Sequence, residues 1–413
     1  MFEQVLVGVV LSVAGVFAFL TLLIVGNKAW RDGRFRWRER RRRLLEPEII
    51  RYIHGEGDAL RAVLRDTAGP RDRRVIEQVL IDHALHLRGA EKQRVTQAIE
   101  EMGFVDEYLV GLRHRYWWCR SDAAEKLGHS GARRVIPYLT RAMGDEESSE
   151  VRFRAAKALG EVGGTSAAAP LIRALSEPNR WSSIRIADIL TAMGPEALEE
   201  LIAAFEGLNL HGKVAAIDVV ASIGHLRSAA WLRERLTDAE RDVRSRAAHA
   251  LGAIGDQEAG AVLNAALKDT QWPVRAMAAK SLGAILHLDA IDDLCLALRD
   301  REWWVRSNAA ESLRLMGPQG LDALERMLED ADPYARHQAV LMLEESGMLD
   351  EEVTRLMDRA PERRAAALSL ITRLVRVGQH GRLRELADSH PRTEVRELLK
   401  HLLGDDSPQG ATS

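Results

Sequence analysis

Aromatic side chains that could anchor a protein partner recur at a fixed position in this sequence. Trp117 to Leu127 reads WWCRSDAAEKL, and Trp303 to Leu313, beginning 186 residues later, reads WWVRSNAAESL, identical at eight of eleven positions. Tryptophan and tyrosine join a large apolar surface to a hydrogen-bonding group, and they anchor many protein interfaces. Candidate partner-binding residues, all in a turn that enters a helix, are Trp117, Trp118, Trp181, Trp272, Trp303, Trp304 and Tyr334. These rings could instead pack onto the preceding helices, and the pattern favours neither alternative.

Basic and acidic residues form two further columns with the same period. A base usually stands seven residues before the apolar residue that closes each repeat, and an acid stands thirteen before it. An acid in a turn can cap the next helix and accept a charge-assisted hydrogen bond from an arginine. Because both columns recur with the repeat, they predict a structural ladder rather than a catalytic site. The predicted ladder residues are Arg120, Arg152, Arg244, Arg275, Arg306 and Arg336, with Asp238, Asp269, Asp300 and Asp330.

No catalytic set stands out among the remaining polar residues. The sequence shows no nucleophile motif, no phosphate-binding loop and no metal-ligand spacing. His83 and His86 are three residues apart, but no further His or Cys nearby completes a metal site, which favours a packing or surface pair. Cys119 and Cys295 are typical of small buried apolar residues. We therefore predict no catalytic residue, no cofactor and no metal.

The elements that position these columns are helical repeats. The closing apolar residues of eight units are 30 to 32 residues apart, at Leu127, Leu159, Leu190, Val220, Leu251, Leu282, Leu313 and Leu343. Each unit reads as a Leu-rich first helix, an acidic turn, and a second helix with a pair of alanines such as Ala278–Ala279. One unit cannot bury its own apolar faces, but stacked units can. The small alanines are therefore expected to face the neighbouring unit.

This pattern resembles the HEAT repeat family, in particular the HEAT-like repeats first described in bacterial phycobilin lyases. The residues that carry the resemblance are those such as Asp269, Val274, Arg275, Ala278, Ala279, Leu282 and Gly283. The layout also resembles a group of bacterial membrane-anchored HEAT proteins, in which an apolar span and an Arg-rich flank precede repeats that begin with paired tryptophans. That resemblance implies an adaptor role, in association with envelope glycosyltransferases or signalling proteins.

The charge of the chain is unevenly distributed. Residues 1–43 hold nine Lys or Arg and three Asp or Glu, which leaves 49 basic and 58 acidic residues, a net of −9, in residues 44–413. A body that binds nucleic acid normally presents a basic face. The acidic balance therefore argues against a nucleic-acid partner.

An apolar segment at the N-terminus is followed by a basic flank. Val5 to Gly26 is a run of 22 residues without a formal charge, and a helix of that length, about 33 Å, is long enough to cross a bilayer. A signal peptide would carry its positive charge before the apolar run, whereas the positive-inside rule places a flank after it in the cytoplasm and the N-terminus outside. The predicted membrane flank is Lys28, Arg31, Arg34, Arg36, Arg38, Arg40, Arg41, Arg42 and Arg43. Reversed topology, with a periplasmic solenoid, is the alternative.

The predicted fold is all-α, an α-solenoid of HEAT-like repeats with one N-terminal transmembrane helix. The predicted segments are a transmembrane helix with a short outer N-terminus (1–27), a basic juxtamembrane segment (28–43), a degenerate helical cap (44–114), the HEAT-like repeats (115–347), a degenerate C-terminal cap (348–403) and a disordered tail (404–413).

The predicted function is that of a non-enzymatic scaffold, tethered by a single pass in the inner membrane, whose cytoplasmic solenoid binds a protein partner. The alternative is a HEAT-like enzyme, either of the lyase type or a DNA base-excision enzyme, since the chain has the Trp, Asp and Arg residues that such repair enzymes use. Another relative of the repeat, deoxyhypusine hydroxylase, uses His-Glu pairs at its iron site. This sequence contains no His-Glu dipeptide, so that activity is not carried over. The sequence does not indicate an oligomeric state.

Overall fold

The computed structural model describes residues 2–177, 180–378 and 381–404; the side chains of residues 2–14, 16, 18 and 180–182 lie outside the description. Within these ranges every regular element is a helix, and there is no strand. The predicted all-α class is therefore confirmed. The chain divides into two compact units, Met1–Leu171 and Ile172–Ser413. Of the predicted tail, only Gly404 falls within the described residues.

The first unit begins with one long helix and continues with shorter helices. Three-residue 3₁₀ turns, Pro70–Asp72 and Arg133–Val135, precede α3 and α7. The helices are α1 (Phe2–Ile53), α2 (Leu60–Val63), α3 (Arg73–Ala84), α4 (Gly89–Glu101), α5 (Phe104–Gly111), α6 (Trp117–Ser130), α7 (Ile136–Asp145) and α8 (Ser149–Val162), followed by α9 (Thr165–Ala174), which contains the boundary between Leu171 and Ile172.

Helix α1 is continuous across the predicted anchor, flank and start of the cap. Its C-terminal part packs against α2, α3 and α4 through Leu45, Ile49 and Tyr52, which are fully buried. More than half of the side chains of the predicted span, residues 5–26, lie outside the description. Among the described residues, no helix combines the length and the apolar character that a membrane crossing requires.

The second unit alternates first and second helices. Its helices are α10 (Arg180–Met193), α11 (Pro195–Ala204), α12 (Leu210–Ile223), α13 (Ala229–Arg235), α14 (Arg241–Ile254), α15 (Gly260–Ala266), α16 (Trp272–Ala284), α17 (Ile291–Ala297), α18 (Trp303–Leu315), α19 (Pro318–Met327), α20 (Pro333–Glu345), α21 (Met348–Arg355), α22 (Pro361–Val377), α23 (Gly381–Ser389) and α24 (Thr393–Leu403). The second helices α12, α14, α16, α18 and α20 pack on one another in one layer. The first helices pack against this layer; α15 packs against α16, and α17 packs against α18.

Small residues allow the second helices to approach closely. Ala278 and Ala279 are fully buried. A Cβ atom on Gly283 would lie 2.5 Å from the Cβ of Ser312 and 2.7 Å from its Cα, in the next second helix. Ser312 Oγ donates to the carbonyl oxygen of Ala279 at 2.8 Å, so the hydroxyl finds a partner inside the contact. Ser281 makes the same bond to the preceding second helix at 2.7 Å.

Helix ends follow from local residue chemistry. Gly255 ends α14 in the left-handed conformation, with φ of 72°, which an L side chain rarely adopts. At the other end of the helices, the Asp332 side chain accepts the backbone N–H groups of Tyr334 and Ala335 at 2.8 and 3.1 Å, and so caps α20. A glycine therefore defines where α14 stops, and an acidic residue defines where α20 starts.

Substitution Gly283→Ala tests this close approach. The added methyl group would overlap Ser312, so we expect the free energy of opening of α16 and α18 to fall by about 1–3 kcal/mol, measured by native-state hydrogen exchange. The matched control is Gly144→Ala in α7, where nothing lies within 4 Å of the added Cβ atom. There the change should be neutral or stabilising by up to about 1 kcal/mol. Equal effects of the two substitutions would contradict the packing described.

Candidate partner-binding surface

An arginine clamps the turn that enters each regular second helix. Arg275 Nη1 donates to the carbonyl oxygens of Asp269 and Thr270 at 2.9 and 3.2 Å. Its Nε and Nη2 donate to the two carboxylate oxygens of Asp300, in the next turn, at 2.6 and 2.9 Å. The Asp300 carboxylate also accepts the backbone N–H of Glu302 at 2.9 Å. One guanidinium therefore closes its own turn and binds the acid that starts the next helix.

The same clamp recurs in both units. In the second unit Arg244 donates to Asp269 at 2.8 and 3.0 Å. In the first unit Arg120 donates to Glu146 at 2.8 and 2.6 Å, with the longer acid compensating for a separation of 26 rather than 25 residues. Asp238 accepts the N–H of Glu240 at 2.8 Å and so starts α14 in the same way. The turn-closing half of the clamp, from Nη1 to the acid's carbonyl oxygen, is made at 2.7 to 2.9 Å by Arg152, Arg244, Arg306 and Arg336.

The ladder is interrupted after Arg306. Asp330, its expected acid, instead accepts hydrogen bonds from Arg299 Nε, at 3.1 Å to each carboxylate oxygen. Arg306 and Asp330 are 24 residues apart, whereas the paired Arg275 and Asp300 are 25 apart. Because the connection is one residue shorter, the acid stands one position closer to Arg306 along the chain. Arg299, in the turn before α18, binds Asp330 in place of Arg306.

The clamp also controls the ionisation of its acids. Burial alone would raise the pKa of Asp300, but hydrogen bonds from Arg275 and from the N–H of Glu302 bring it below its usual value. The same balance lowers the pKa of Asp269, where Arg244 is the main hydrogen-bond partner. Both carboxyl groups are therefore ionised at neutral pH, and the clamp is a charge-assisted contact.

Aromatic residues follow the clamped turns of the second unit and are largely solvent-exposed. Trp303 and Trp304 open α18, with ring centroids 4.8 Å apart in an edge-on arrangement. The exposed fractions are 38% for Trp272, 50% for Trp303, 56% for Trp304 and 61% for Tyr334. The side chain of Trp181, at the start of α10, lies outside the description. The turn is held rigidly while the rings that follow it remain available for contact.

A second aromatic cluster lies in the first unit. Trp117 and Trp118, at the start of α6, are about half exposed, at 48% and 53%. Tyr116 stacks on Trp118 with centroids 4.4 Å apart, and the guanidinium of Arg115 lies 4.2 Å from the Tyr116 ring centroid. Sequence reasoning missed Tyr116, although it directly precedes the paired tryptophans. The stack orders a flat aromatic surface at the first clamped turn.

A mainly apolar groove borders Trp272 in the second unit. Its volume is about 720 Å³, and it is lined by Leu210, His211, Val214, Asp242, Ser245, Arg246, His249, Trp272, Pro273 and Met277. Burial lowers the pKa of His249, and the Lys280 and Arg246 cations lower it further. The imidazole is therefore neutral at pH 7, which suits an apolar occupant. No sequence pattern pointed to this groove, because its lining comes from three different helices.

The groove of the first unit is larger and more polar. It has a volume of about 920 Å³ between α3, α5 and α6, and Tyr108 and Trp118 line it. Lys126 Nζ lies 3.0 Å from Glu77 and 3.2 Å from Asp122. Burial opposes protonation of Lys126, but the bond to Glu77 and the contact with Asp122 outweigh it and raise the pKa. This lysine is therefore a paired cation rather than a nucleophile.

Other reactive side chains are held in unreactive surroundings. Burial raises the pKa of the Cys295 thiol to about 11, so it is protonated at neutral pH. His83 Nε2 lies 3.4 Å from a carboxylate oxygen of Glu46, within the packed base of α1. Within the described part of the chain, no group of three or more His, Cys, Asp and Glu side chains is arranged to hold a metal ion.

Two arginines of the predicted membrane flank take part in the packing of the first unit. Arg41 donates to Asp72 at 2.8 and 2.6 Å and to the carbonyl oxygen of Thr67 at 2.7 Å. Arg42 binds Asp82 at 2.8 Å. The run of arginines in the sequence does not predict these contacts, because the acids are more than thirty residues away along the chain. The other flank residues are exposed, namely Lys28, Arg31, Arg34, Arg36, Arg38, Arg40 and Arg43.

Substitution Asp300→Asn tests the clamp. It leaves the Nε–H and Nη2–H groups of Arg275 without their carboxylate, so we expect α16 and α18 to lose about 2–3 kcal/mol of opening free energy, measured by hydrogen exchange. The control is Arg301→Gln in the same turn, where the side chain is 80% exposed. That change should cost less than about 0.5 kcal/mol. A similar loss in both variants would refute the clamp.

Acid should weaken the same contact in a defined window. Because the pKa of Asp300 is lower in the folded state than its ordinary value of 3.8, its contribution to stability is complete above that value and is lost as pH falls through the folded pKa. The difference in opening free energy between the natural chain and Asp300→Asn should therefore be constant from pH 7 to about pH 5 and shrink below about pH 4. Hydrogen exchange at several pH values measures it. A difference that persists undiminished well below that window would argue against the carboxylate as its source.

Comparison with known proteins identifies the repeats. The family model for HEAT repeats matches residues 105–190, 198–283, 260–344 and 291–372, together more than half of the chain. Among curated proteins, none matches the chain.

Several solved structures are similar to this chain at low sequence identity. An engineered protein is 18% identical, with 87% of this chain and 98% of the other covered and a TM-score of 0.32. Kap121p bound to Nup53p is 13% identical at a TM-score of 0.42, with 88% of this chain covered; the chain spans about half of that protein, 48%. Human deoxyhypusine hydroxylase in complex with glycerol is 21% identical, with 68% and 100% covered and a TM-score of 0.26. The family model covers more than half of the chain, and the stacked helix pairs agree with it. The chain therefore belongs to the HEAT repeat family.

Proposed function

We propose that this chain is a non-enzymatic scaffold that binds a protein partner through the layer of second helices. The observation that carries the proposal is the set of half-exposed aromatic rings at the start of successive second helices in the second unit, beside an apolar groove. Rings held on rigid turns lose little conformational entropy on binding, and large amphipathic side chains dominate interface energies. A groove of about 720 Å³ beside Trp272 has room for several apolar side chains of a partner.

The same proposal places the scaffold at a membrane. Large apolar side chains on α1, including Phe17, Leu22 and Ile24, are 66–76% exposed. A continuous exposed apolar run of this kind is costly in water and favourable in lipid. Trp30, with Arg34 stacked on it at 4.9 Å, and Phe35 follow the run and suit the headgroup zone. We propose a single pass through the inner membrane, with the N-terminus outside and the repeats in the cytoplasm.

The nature of the partner follows from charge and from the resemblance stated above. The body of the chain is acidic, with a net of −9 over residues 44–413, which disfavours nucleic acid. The proposed partner is a protein, such as an envelope glycosyltransferase or a signalling complex. The repeat length of 30 to 32 residues supports assignment to the HEAT-like type of bacterial phycobilin lyases.

Site-specific photo-crosslinking tests the binding surface. A photoreactive residue in place of Trp304 should capture one protein reproducibly in the native membrane, because this ring faces the proposed partner. The control position is Leu296 on the first helix α17, which is equally apolar and 57% exposed. We expect a crosslink yield at least about tenfold higher at position 304. Equal yields, or none at position 304, would contradict the proposed surface.

Fusion of reporters to the C-terminus tests the topology. A cytoplasmic reporter such as green fluorescent protein should be active there, and a periplasmic reporter such as alkaline phosphatase inactive, since the basic flank after Gly26 is retained in the cytoplasm. The control inverts the charge of exposed flank residues Arg31, Arg34 and Arg36 to Glu, which should reduce the bias. An active periplasmic reporter on the natural chain would overturn the assignment, and release of the protein by alkaline carbonate would argue against an integral anchor.

A further inference from the structure

We infer that Arg306 and Tyr334 form a recognition site for a carboxylate group of the partner; this inference rests on the proposed scaffold function. The Arg306 side chain is almost wholly buried, with the residue 8% exposed. Its Nη1 donates to the carbonyl oxygens of Asp300 and Arg301 at 2.7 and 3.0 Å. Its Nε is buried and has no hydrogen-bond partner among the described residues. A buried charged group with an unused donor is costly unless something else binds it.

Other arginines of the same array show which chemical group fits this edge of the guanidinium. Arg244 and Arg275 use Nε and Nη2 to hold the carboxylates of Asp269 and Asp300 through paired hydrogen bonds of 2.6 to 3.0 Å. Their Nη1 atoms make the same turn-closing bonds as that of Arg306. The geometry at Arg306 is therefore one half of a carboxylate clamp, and a planar carboxylate completes it.

The acids near Arg306 are already engaged elsewhere. Asp330 accepts hydrogen bonds from Arg299 and from the N–H of Asp332, the latter at 2.9 Å. Asp300 binds Arg275. Asp332 caps α20 with its own carboxylate. The missing group therefore comes from outside this set.

The surroundings of the guanidinium favour a partner's carboxylate over other anions. The Tyr334 ring centroid lies 4.6 Å from the Arg306 guanidinium carbon, and the tyrosine is more than half exposed. A carboxylate bound at the edge of Arg306 would thus lie beside an exposed ring that can pack on the neighbouring apolar atoms of the same peptide. The acids Asp300, Asp330 and Asp332 nearby oppose a dianion such as phosphate more than a monoanion. The occupant is accordingly an Asp or Glu side chain, or a chain terminus, next to an apolar residue.

Nitrogen NMR of the arginine side chains tests the site directly with acetate as the probe. The full chain, labelled with ¹⁵N-arginine and held in nanodiscs, is titrated with sodium acetate and, separately, with sodium chloride at equal ionic strength. We expect the Nε–H signal of Arg306, assigned by its loss in Arg306→Lys, to move to lower field and saturate with acetate alone. The signals of Arg244 and Arg275, whose forks already hold carboxylates, should stay in place. No movement at Arg306, or equal movement with chloride, would overturn the inference.

Crosslinking at position 304 separates this inference from the proposed function. In a chain with the photoreactive residue at 304, Arg306→Lys keeps the charge but removes the planar fork, and it should lower the yield about tenfold or more. Arg336→Lys is the matched control, because Arg336 makes the same turn-closing bonds, at 2.7 and 3.0 Å. Tyr334→Ala, which leaves the Arg306 turn bonds intact, should lower the yield as well.

The outcomes are distinguishable. Undiminished crosslinking in both Arg306→Lys and Tyr334→Ala would refute the carboxylate site and leave the scaffold function standing. Equal losses in Arg306→Lys and Arg336→Lys, with none in Tyr334→Ala, would show a general effect of the turn and also refute it. If position 304 captures nothing in the natural chain, the proposed function fails, and the acetate titration still decides whether Arg306 binds a carboxylate.

Discussion

The arginine that closes one turn and binds the carboxylate of the next is the contact on which the regular part of the array depends. Stacked helices with alanine, glycine and serine at their interface attract one another through shape and burial, which define a distance but only weakly a register. The paired bonds from Arg275 to Asp300, at 2.6 and 2.9 Å, join consecutive repeats at one definite offset. Both side chains are only 11% and 13% exposed, so solvent screens the contact little.

The same contact explains how a helical array with few aromatics can present them usefully. The rings of Trp303 and Trp304 follow directly after Glu302, whose N–H is bonded to the clamped acid. Their backbone is thus held by the acid of their own turn and by the arginine of the preceding repeat, while the rings stay about half exposed. A binding surface built on such turns is ordered before a partner arrives, which reduces the entropic cost of association.

One residue of repeat length separates a structural arginine from one with an unused donor. Arg244 and Arg275 each stand 25 residues before the acid they bind, and the protein itself occupies both edges of their guanidinium groups. At Arg306 the expected acid, Asp330, binds Arg299 instead, and the buried Nε of Arg306 has no hydrogen-bond partner within the part of the chain that the structure describes. A small irregularity in a periodic structure can therefore create a place for recognition, because the periodic positions satisfy their own polar groups.

Much of the architecture is readable in the sequence because its causes are local and repeated. The period of 30 to 32 residues, the alanine pairs and the acid before most second helices all follow from what a single helix pair needs in order to stack and to cap its ends. The partners of individual arginines are different: Arg41 lies in a run that reads as a membrane flank, yet it binds Asp72, 31 residues away. The groove beside Trp272 and the exposure of the tryptophans likewise depend on several helices at once.

The sequence by itself determines that the chain is a helical HEAT array with an apolar N-terminal run, since composition, periodicity and turn chemistry act within one or two repeats. Only the tertiary structure decides which acid each arginine binds, which rings face solvent and where a donor is left unused. These properties depend on distances of a few ångströms between side chains in different repeats. A shift of one residue, as at Arg306 and Asp330, changes the outcome while leaving the sequence pattern almost intact.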